Sequence, residues 1–340
     1  MKLMRTEDAV GQVLCHDITQ IIKGVTKDAV FRKGHIITEE DIPVLLSVGK
    51  DHIYIWENNE NMLHENDAAK ILYDMCANEH MTPSEIKEGK IELIAECDGL
   101  LKVDTEQLNA VNALGEMMIA CRHGNFPVKK GDKIAGTRII PLVIEKEKME
   151  RAKKAAGEEP IFELIPFKKM KAAIVNTGNE VFYGRIKDTF TPVIIEKLKE
   201  YGAEVVGHVV SDDNHEHITA AIQKFLDEGV DMVLCTGGMS VDPDDRTPLA
   251  IKNTGAEIVT YGGSVLPGAM FLLSYYGEKK RPVIGLPGCV MYAKRTIFDL
   301  VLPRIVAGEI LKKADIDTLG EGGLCLNCPV CTFPNCGFGK

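Results

Sequence analysis

The chain has 340 residues, of which 45% are hydrophobic and 26% are charged, and its formal net charge is −10. This length predicts two or three domains, and this composition is typical of a soluble globular protein. The acidic balance argues against a general nucleic-acid binder, because contacts with phosphates require clustered Lys and Arg residues.

Neither a membrane span nor a signal peptide is predicted. No apolar run approaches the ~18 residues of a membrane-spanning helix. The N-terminal stretch MKLMRTEDAV lacks the apolar core of a signal peptide. We therefore expect a cytoplasmic protein without a membrane partner.

The first half of the chain predicts small units that are rich in strands. In residues 1–65, the stretch FRKGHIITEEDIPVLLSVGKDHIYIW predicts a strand, a short helix and a strand. Residues 66–150 open with the helical pattern NDAAKILYDMCAN and continue with β-branched runs separated by DG and KKGD turns. They predict a mostly-β unit with a leading helix. The charged stretch EKEKMERAKKAAGEEP predicts a surface helix or linker, and we assign the linker to residues 151–167.

Residues 168–308 alternate between strand and helix patterns. KMKAAIVNTG, AEVVGHVV and VDMVLCTGG predict strands, and each is followed by a helical pattern. IGLPGCVMYAKRTIFDLVLPRI predicts a strand, a Pro-Gly turn and a long amphipathic helix with Lys294 and Arg295 near its start. Such alternation predicts a three-layer α/β/α domain with a mostly parallel sheet. Ligands of these sheets bind beyond the carboxyl ends of the strands, where NTGNEV and CTGGMSVDPDD occur.

The loop CTGGMSVDPDDRTP combines a bend, negative charge and the start of a helix. Gly237 and Gly238 allow backbone N–H groups to approach a ligand without a Cβ in the way. Thr247 and Pro248 predict the N-cap and first residue of a helix, whose N-terminus favours an anion. Three aspartates in this loop repel each other unless they are solvated, paired with a cation, or positioned to bind a metal or a substrate's amine groups. A well-capped loop and a ligand site both fit the pattern.

The chain has ten cysteines, and four of them crowd into the sequence CLNCPVCTFPNC within residues 309–340. These are Cys325, Cys328, Cys331 and Cys336. In a cytosolic protein such a cluster predicts a metal site before a disulfide framework. Four thiolates can close a tetrahedral Zn²⁺ site or hold an iron–sulfur cluster. The alternative is a flexible redox or metal-delivery tail.

Four motifs, taken in order, carry a resemblance to one family. TGNEV, SDD, TGGMSV followed by aspartates, and GLPG resemble the molybdopterin-binding domain of molybdopterin molybdenumtransferases, molybdopterin adenylyltransferases and gephyrin. The resemblance covers residues 168–308. It implies molybdopterin, or its adenylylated form, as ligand or substrate, with Mg²⁺ and molybdate. It also implies homo-oligomers and, as a partner, a molybdoenzyme or another cofactor-assembly protein.

The same resemblance implies two sets of site residues. The residues implied to bind the pterin are Thr177, Gly178, Asn179, Ser211, Asp212, Thr236, Gly237, Gly238, Met239, Ser240, Pro287 and Gly288. The residues implied to organise Mg²⁺ or molybdate, as catalytic groups, are Glu180, Asp188, Asp244 and Asp245. For the SDD motif, capping of the following helix is the alternative interpretation.

Departures from the family pattern leave the activity open. Asn179 replaces an acidic residue, Pro-Gly-Cys-Val replaces Pro-Gly-Asn-Pro at 287–290, and no SAMDGYA-type segment precedes the domain. The first hypothesis is a molybdenumtransferase-like enzyme of molybdenum cofactor biosynthesis. The second is a non-catalytic carrier that hands finished cofactor to a molybdoenzyme. The third is a dinucleotide pyrophosphatase of the competence-damage type.

Overall fold

A computed structural model describes residues 2–22, 26–55, 60–240, 242 and 245–340. Backbone contacts divide the chain into two interleaved units. The first comprises Met1–Ile94, Asp104–Arg122 and Lys133–Glu163, and the second comprises Ala95–Val103, His123–Asp132 and Leu164–Lys340. Across the described ranges, every helix is too short or too polar to cross a membrane.

Strands and helices alternate along much of the chain. The strands are β1 (Lys2–Arg5), β2 (Ile18–Ile22), β3 (Thr26–Phe31), β4 (His52–Ile55), β5 (Met62–His64), β6 (Met81–Pro83), β7 (Lys90–Ala95), β8 (Gly99–Val103), β9 (Met117–Cys121), β10 (Phe126–Val128), β11 (Lys133–Ile139), β12 (Val143–Glu145), β13 (Phe162–Pro166), β14 (Lys171–Thr177), β15 (Glu204–Ser211), β16 (Met232–Thr236), β17 (Glu257–Tyr261), β18 (Leu272–Tyr276) and β19 (Arg281–Leu286). The helices are α1 (Asp41–Ser47), α2 (Glu65–Asp74), α3 (Thr105–Asn112), α4 (Lys146–Ala156), α5 (Asn179–Phe182), α6 (Phe190–Lys199), α7 (His215–Asp227), α8 (Thr247–Asn253), α9 (Ile297–Ala307) and α10 (Lys313–Asp317).

The first unit is rich in short strands, as the sequence predicts. β1 pairs with β4, β2 with β3, and β5 with β12, while β6, β7, β11 and β9 form a sheet in that order. Leu14, Ile37, Leu45 and Ile53 are buried together in a small core. The helix predicted at NDAAKILYDMCAN is α2, and the charged stretch contains α4.

The second unit contains the mostly parallel sheet that the sequence predicts. Its strand order is β15-β14-β16-β19-β18-β17. β14 runs parallel to β15 and β16, and β16 runs parallel to β19, whereas β18 and β17 extend the sheet antiparallel. The carboxyl ends of β14, β15, β16 and β19 therefore meet at one edge, from which the predicted site loops leave.

Helices cover both faces of this sheet and complete the three layers. Alternate residues of a strand point to opposite faces, so Ile174 and Val175 of β14 enter two different cores. Ile174 packs in a core with Ile194 of α6 and Val301 of α9. Val175 packs in a core with Ile218 of α7. The predicted three-layer α/β/α arrangement is confirmed.

Helix α9 departs from the prediction of an amphipathic helix, because all of its residues are buried. Its charged residues have partners inside the fold. Asp299 accepts a hydrogen bond from Lys197 Nζ at 2.6 Å, and Arg304 Nε donates to Glu309 Oε2 at 2.6 Å. Phe338, from the end of the sequence, packs in the same core as the α9 residues. The polar residues of α9, which in the sequence suggest a side that faces solvent, are thus paired inside the fold.

Candidate functional site

A cavity of about 520 Å³ lies at the sheet edge where β16 and β19 end. It is bordered by two of the loops that the sequence analysis singles out and by a short segment before β18. The lining residues are Gly237, Gly238, Met239, Ser240, Asp245, Ala269, Met270, Pro287, Gly288, Cys289, Met291 and Tyr292. Ala269, Met270 and Tyr292 carry no signal in the sequence that relates them to a site.

The two glycines after β16 allow this loop to lie against the loop after β14. Gly237 has φ +82°, and a Cβ on it would stand 2.1 Å from the backbone oxygen of Thr177. Gly238 has φ +55°, and a Cβ there would stand 2.8 Å from Thr247 Oγ1. A side chain at either position is disfavoured both by the positive φ and by this crowding. The glycines are therefore needed for contact between loops, in addition to the approach of a ligand.

Thr247 connects these loops instead of capping α8. The N-cap of α8 is Arg246, so the prediction of Thr247 as N-cap is wrong. Thr247 Oγ1 lies 2.8 Å from the Gly237 oxygen, to which it donates, and 3.1 Å from Thr177 Oγ1. The helix start is used to hold the loop after β16 in place.

Asp245 is the predicted catalytic residue that borders the cavity. Its Oδ2 accepts a hydrogen bond from the Ser240 backbone N at 2.8 Å. Tyr261 Oη donates to the Met239 oxygen at 2.9 Å, which holds the same loop from β17. The Met239 side chain is buried, and its Cε lies 2.5 Å from where a Cβ would stand on Gly285. The residues of this loop that border the cavity are Gly237, Gly238, Met239, Ser240 and Asp245.

The loops after β14 and β15 are joined to each other beside the cavity. The Asn179 backbone N donates to Asp213 Oδ2 at 3.0 Å, and the Gly178 N donates to the Ser211 oxygen at 3.2 Å. The N-cap of α7 is Asn214, so Asp213 is not the helix cap that the SDD motif suggests. The two consecutive aspartates after a strand are the only sequence signal that Asp213 joins the loops after β14 and β15.

Negative charges surround Asp213. Burial raises the pKa of the Asp213 carboxyl above its ordinary value, and the nearby charges of Glu180, Asp212 and Asp245 raise this pKa further. The hydrogen bond from Asn179 opposes that rise only in part. The loops after β14, β15 and β16 therefore present an acidic edge, on which carboxylates disfavour one another's charge.

Asp188 is used by the start of helix α6. Its Oδ1 accepts from the backbone N of Phe190 at 2.9 Å and of Thr191 at 3.1 Å, and its Oδ2 accepts from Thr191 Oγ1 at 2.6 Å. Burial alone would raise the pKa of Asp188, but these bonds and one from Asn176 hold it below its ordinary value. Asp188 is not among the residues that border the cavity.

Three further predicted residues are buried beneath the loops. Thr177, Ser211 and Thr236 end their strands with little exposed surface. Thr236 Oγ1 donates to Asn176 Oδ1 at 2.9 Å. These residues support the edge of the sheet from below, and they do not border the cavity.

A preformed site for a single metal ion is not present among the described residues. Within those ranges, no three His, Cys, Asp or Glu side chains come together so that they could hold one ion. Asp244, predicted as catalytic, lies outside the described residues.

The four predicted cysteine ligands border a second cavity, of about 290 Å³. Cys325 and Cys336 are half-buried, and Cys328 and Cys331 are exposed. Lys294 and Arg295 also border this cavity, so the chain that follows β19 borders the first cavity at 287–289 and 291–292 and the second at 294–295.

Two family models match parts of the chain. Residues 173–307 match a model described as a probable molybdopterin binding domain. Residues 3–57 match a model described as a domain of unknown function.

Curated relatives share only part of the chain. A molybdopterin molybdenumtransferase of Synechococcus elongatus is 28% identical over 163 residues, which are 45% of this chain and 38% of that protein. A CinA-like protein of Mycobacterium avium is 34% identical over 90 residues, which are 26% of this chain and 21% of that protein. The chain thus spans less than two fifths of the length of these relatives.

A solved structure is also similar to part of the chain. The molybdopterin biosynthesis enzyme MoaB of Thermus thermophilus is 23% identical and superimposes with a TM-score of 0.34. The match covers 42% of this chain and 99% of that one.

Proposed function

Because residues 173–307 form a domain of the molybdopterin-binding family, we propose that the chain binds molybdopterin in the cavity between the loops after β16 and β19. The observation that carries the proposal is this cavity of about 520 Å³ at the carboxyl edge of the parallel strands. Its volume lies in the range of roughly 300–1,000 Å³ that small-ligand sites occupy. Its position is the one that ligands take in parallel α/β sheets.

The two ends of such a ligand differ in what they need. The phosphate is bound by backbone N–H groups near Gly238 and Gly288 in the loops after β16 and β19, because glycine leaves the backbone open to an anion. The flat pterin ring packs on the apolar part of the wall, which Met270, Met291 and Tyr292 supply.

Magnesium is the second part of the proposal. A phosphate that enters beside Glu180, Asp212, Asp213 and Asp245 is repelled unless a cation lies between the charges. Mg²⁺ is usually bound by one or two carboxylates together with substrate phosphates, so a complete protein cage is not required. Asp245 fits this role, because within the described residues its Oδ1 accepts no hydrogen bond and the carboxylate borders the cavity.

The reaction that we propose is insertion of molybdenum, from molybdate, into the bound dithiolene: both sulfurs bind molybdenum, and one molybdate oxygen leaves as water with the two thiol protons, without a change of oxidation state. Similarity to a molybdopterin molybdenumtransferase over 163 residues supports it. In this reaction the residues that border the cavity hold the pterin, and the cation at Asp245 offsets the negative charge of the incoming molybdate.

A non-catalytic carrier is the second candidate, and two observations favour it. Asn179 contributes no charge, and its backbone N–H is bound to Asp213. The Asp188 carboxylate is already occupied by three hydrogen bonds at the start of α6. Fewer free carboxylates are therefore available for chemistry than the motifs suggest.

The test uses the full chain with molybdopterin, Mg²⁺ and molybdate under anaerobic conditions. We expect molybdate-dependent formation of molybdenum cofactor, and we expect Asp245→Asn to lower kcat about 100-fold, the size of losing one electrostatic group in an active site. Asp227→Asn, on the exposed end of α7, is the matched control and keeps full activity. Unchanged turnover in Asp245→Asn would contradict the site assignment.

The same preparation separates the rival functions. Tight molybdopterin binding without turnover in the wild type identifies the carrier. Hydrolysis of ADP-ribose identifies a dinucleotide pyrophosphatase. This assay is included because of the similarity to a CinA-like protein. Absence of binding, with a folded protein, contradicts the proposal as a whole.

A further inference from the structure

The second cavity brings together all four cysteines of the segment 325–336. Each of them borders the same space of about 290 Å³, and none is paired in a disulfide. Nothing in the pterin cavity requires these residues, because the two cavities have no lining residue in common. The cysteines therefore form a site of their own.

The cysteine segment is built into the domain. The Cys325 N donates to the Leu266 oxygen at 2.8 Å, and the Gly339 N donates to the Gly322 oxygen at 2.8 Å. Phe338 is only 4% exposed and packs in the core of the second unit. The fold thus positions the thiols before any ligand binds, which lowers the entropic cost of gathering them.

The wall of the cysteine cavity carries positive charge. Lys294 Nζ donates to the oxygens of Cys328 at 3.0 Å and Pro329 at 2.7 Å, which are neutral partners. Among the described residues, no carboxylate forms an ion pair with Lys294. Four thiolates around a metal centre of charge +2 leave a net negative charge. The Lys294 ammonium stabilises that charge.

The cavity of about 290 Å³ that all four cysteines border favours a body larger than one ion. Four thiolates that share one Zn²⁺ at ~2.3 Å come within roughly 4 Å of one another. In an iron–sulfur cluster the thiolates bind different iron atoms, so they surround a larger object. The first three cysteines recur at every third position, as in bacterial ferredoxin sequences, whereas four residues separate Cys331 from Cys336 and no Pro follows Cys336.

From these observations we infer that Cys325, Cys328, Cys331 and Cys336 bind an iron–sulfur cluster in this cavity. Each thiol loses its proton when it binds iron, and the iron and sulfide are supplied from outside the protein. Ferrous and ferric iron in equal amounts, with one sulfide for each iron, give a four-iron core of charge +2, so no additional oxidant is required.

The test is anaerobic reconstitution of the full chain with equal amounts of ferrous and ferric iron, sulfide and a thiol reductant, followed by desalting. We expect iron and acid-labile sulfide to remain bound in equal amounts, with visible absorption from thiolate-to-iron charge transfer. The double variant with Cys328→Ser and Cys331→Ser is expected to retain at least ten-fold less iron and sulfide than the wild type. Cys121→Ser removes another exposed cysteine and is the control that keeps the cluster.

A measurement on the wild type keeps the inference testable if the double variant fails to fold. Alkylation with iodoacetamide, read by mass spectrometry, is expected to modify the four cysteines in the metal-free protein and to spare them in the reconstituted protein. Three outcomes would each overturn the inference. The first is iron bound without sulfide, and the second is protection of other cysteines instead of these four. The third is one zinc ion per chain that protects the same four thiols and prevents iron and sulfide from binding.

Discussion

Gly237→Ala tests whether contact between the loops after β14 and β16 maintains the candidate site. The added methyl would stand 2.1 Å from the Thr177 backbone oxygen and 2.8 Å from Thr177 Oγ1. The backbone at Gly237 also has φ +82°, which a residue with a Cβ rarely adopts. The two loops must therefore move apart, or the end of β16 must change conformation.

The expected loss of unfolding free energy has two contributions, from the positive φ and from the contact with Thr177. A left-handed conformation costs an alanine roughly 1–2 kcal/mol, and forced overpacking costs roughly 1–3 kcal/mol more. Gly255→Ala is the matched control, because Gly255 has φ +84° and no atom within 4 Å of its Cβ position. Both substitutions lower the entropy of the unfolded chain equally. The difference in unfolding free energy between them, roughly 1–3 kcal/mol, thus isolates the contact with Thr177.

The assay is urea denaturation of both variants, followed by circular dichroism. Because the chain has two units, hydrogen exchange of the β14 and β16 amides assigns the loss to the second unit. We also expect Gly237→Ala to lose molybdopterin binding, whereas Gly255→Ala keeps it. If Gly237→Ala were no less stable than Gly255→Ala, the loop contact would not have the role that we derive.

Three further predictions concern the cavity, a buried ion pair and pH. Gly288→Val, whose Cβ position has no atom within 4 Å, is expected to fill open space, change stability by less than about 0.5 kcal/mol and weaken molybdopterin binding at least ten-fold, as measured by titration. Lys197→Met removes one of the two cations that pair with the buried Asp299 among the described residues and leaves Arg295 as the other, and urea denaturation is expected to show a loss of roughly 2–4 kcal/mol. Because the folded-state pKa of Asp213 is raised, its contribution to stability falls as pH rises from the unfolded pKa through the folded one. Asp213→Asn is therefore expected to stabilise the metal-free protein at pH 7 and to flatten that part of the pH profile.

Each of these predictions has an outcome that would contradict it. If the Gly288→Val variant bound molybdopterin as tightly as the wild type, the ligand would not bind in this cavity. Lys224→Met, on the exposed side of α7, is the control for Lys197→Met, and equal losses would refute the importance of the buried pair. An Asp213→Asn protein that is less stable at pH 7 would show that hydrogen bonding to Asn179 outweighs charge repulsion.

Local patterns explain why much of the second unit was predictable. β14, β15 and β16 are apolar runs, and α6 and α7 end near glycines, so each element is visible within about fifteen residues of sequence. β18 was not predicted, because its identity depends on antiparallel pairing with β19 across the turn after Gly277. The domain boundaries predicted at 65, 150, 167 and 308 stay a prediction.

The alternation of strands and helices, the glycines at strand ends and the spacing of the four cysteines can be read from the residues alone. Which groups meet depends on how the chain folds. Thr177 and Thr247 are 70 positions apart, and Asn179 and Asp213 are 34 apart, yet each pair is in hydrogen-bond contact. A carboxylate has the same chemistry at either position, but Asp188 is used to start a helix while Asp245 faces a cavity. The physical reason is that a side chain's partners are set by chain segments brought beside it by folding, and residue type and spacing do not specify those segments.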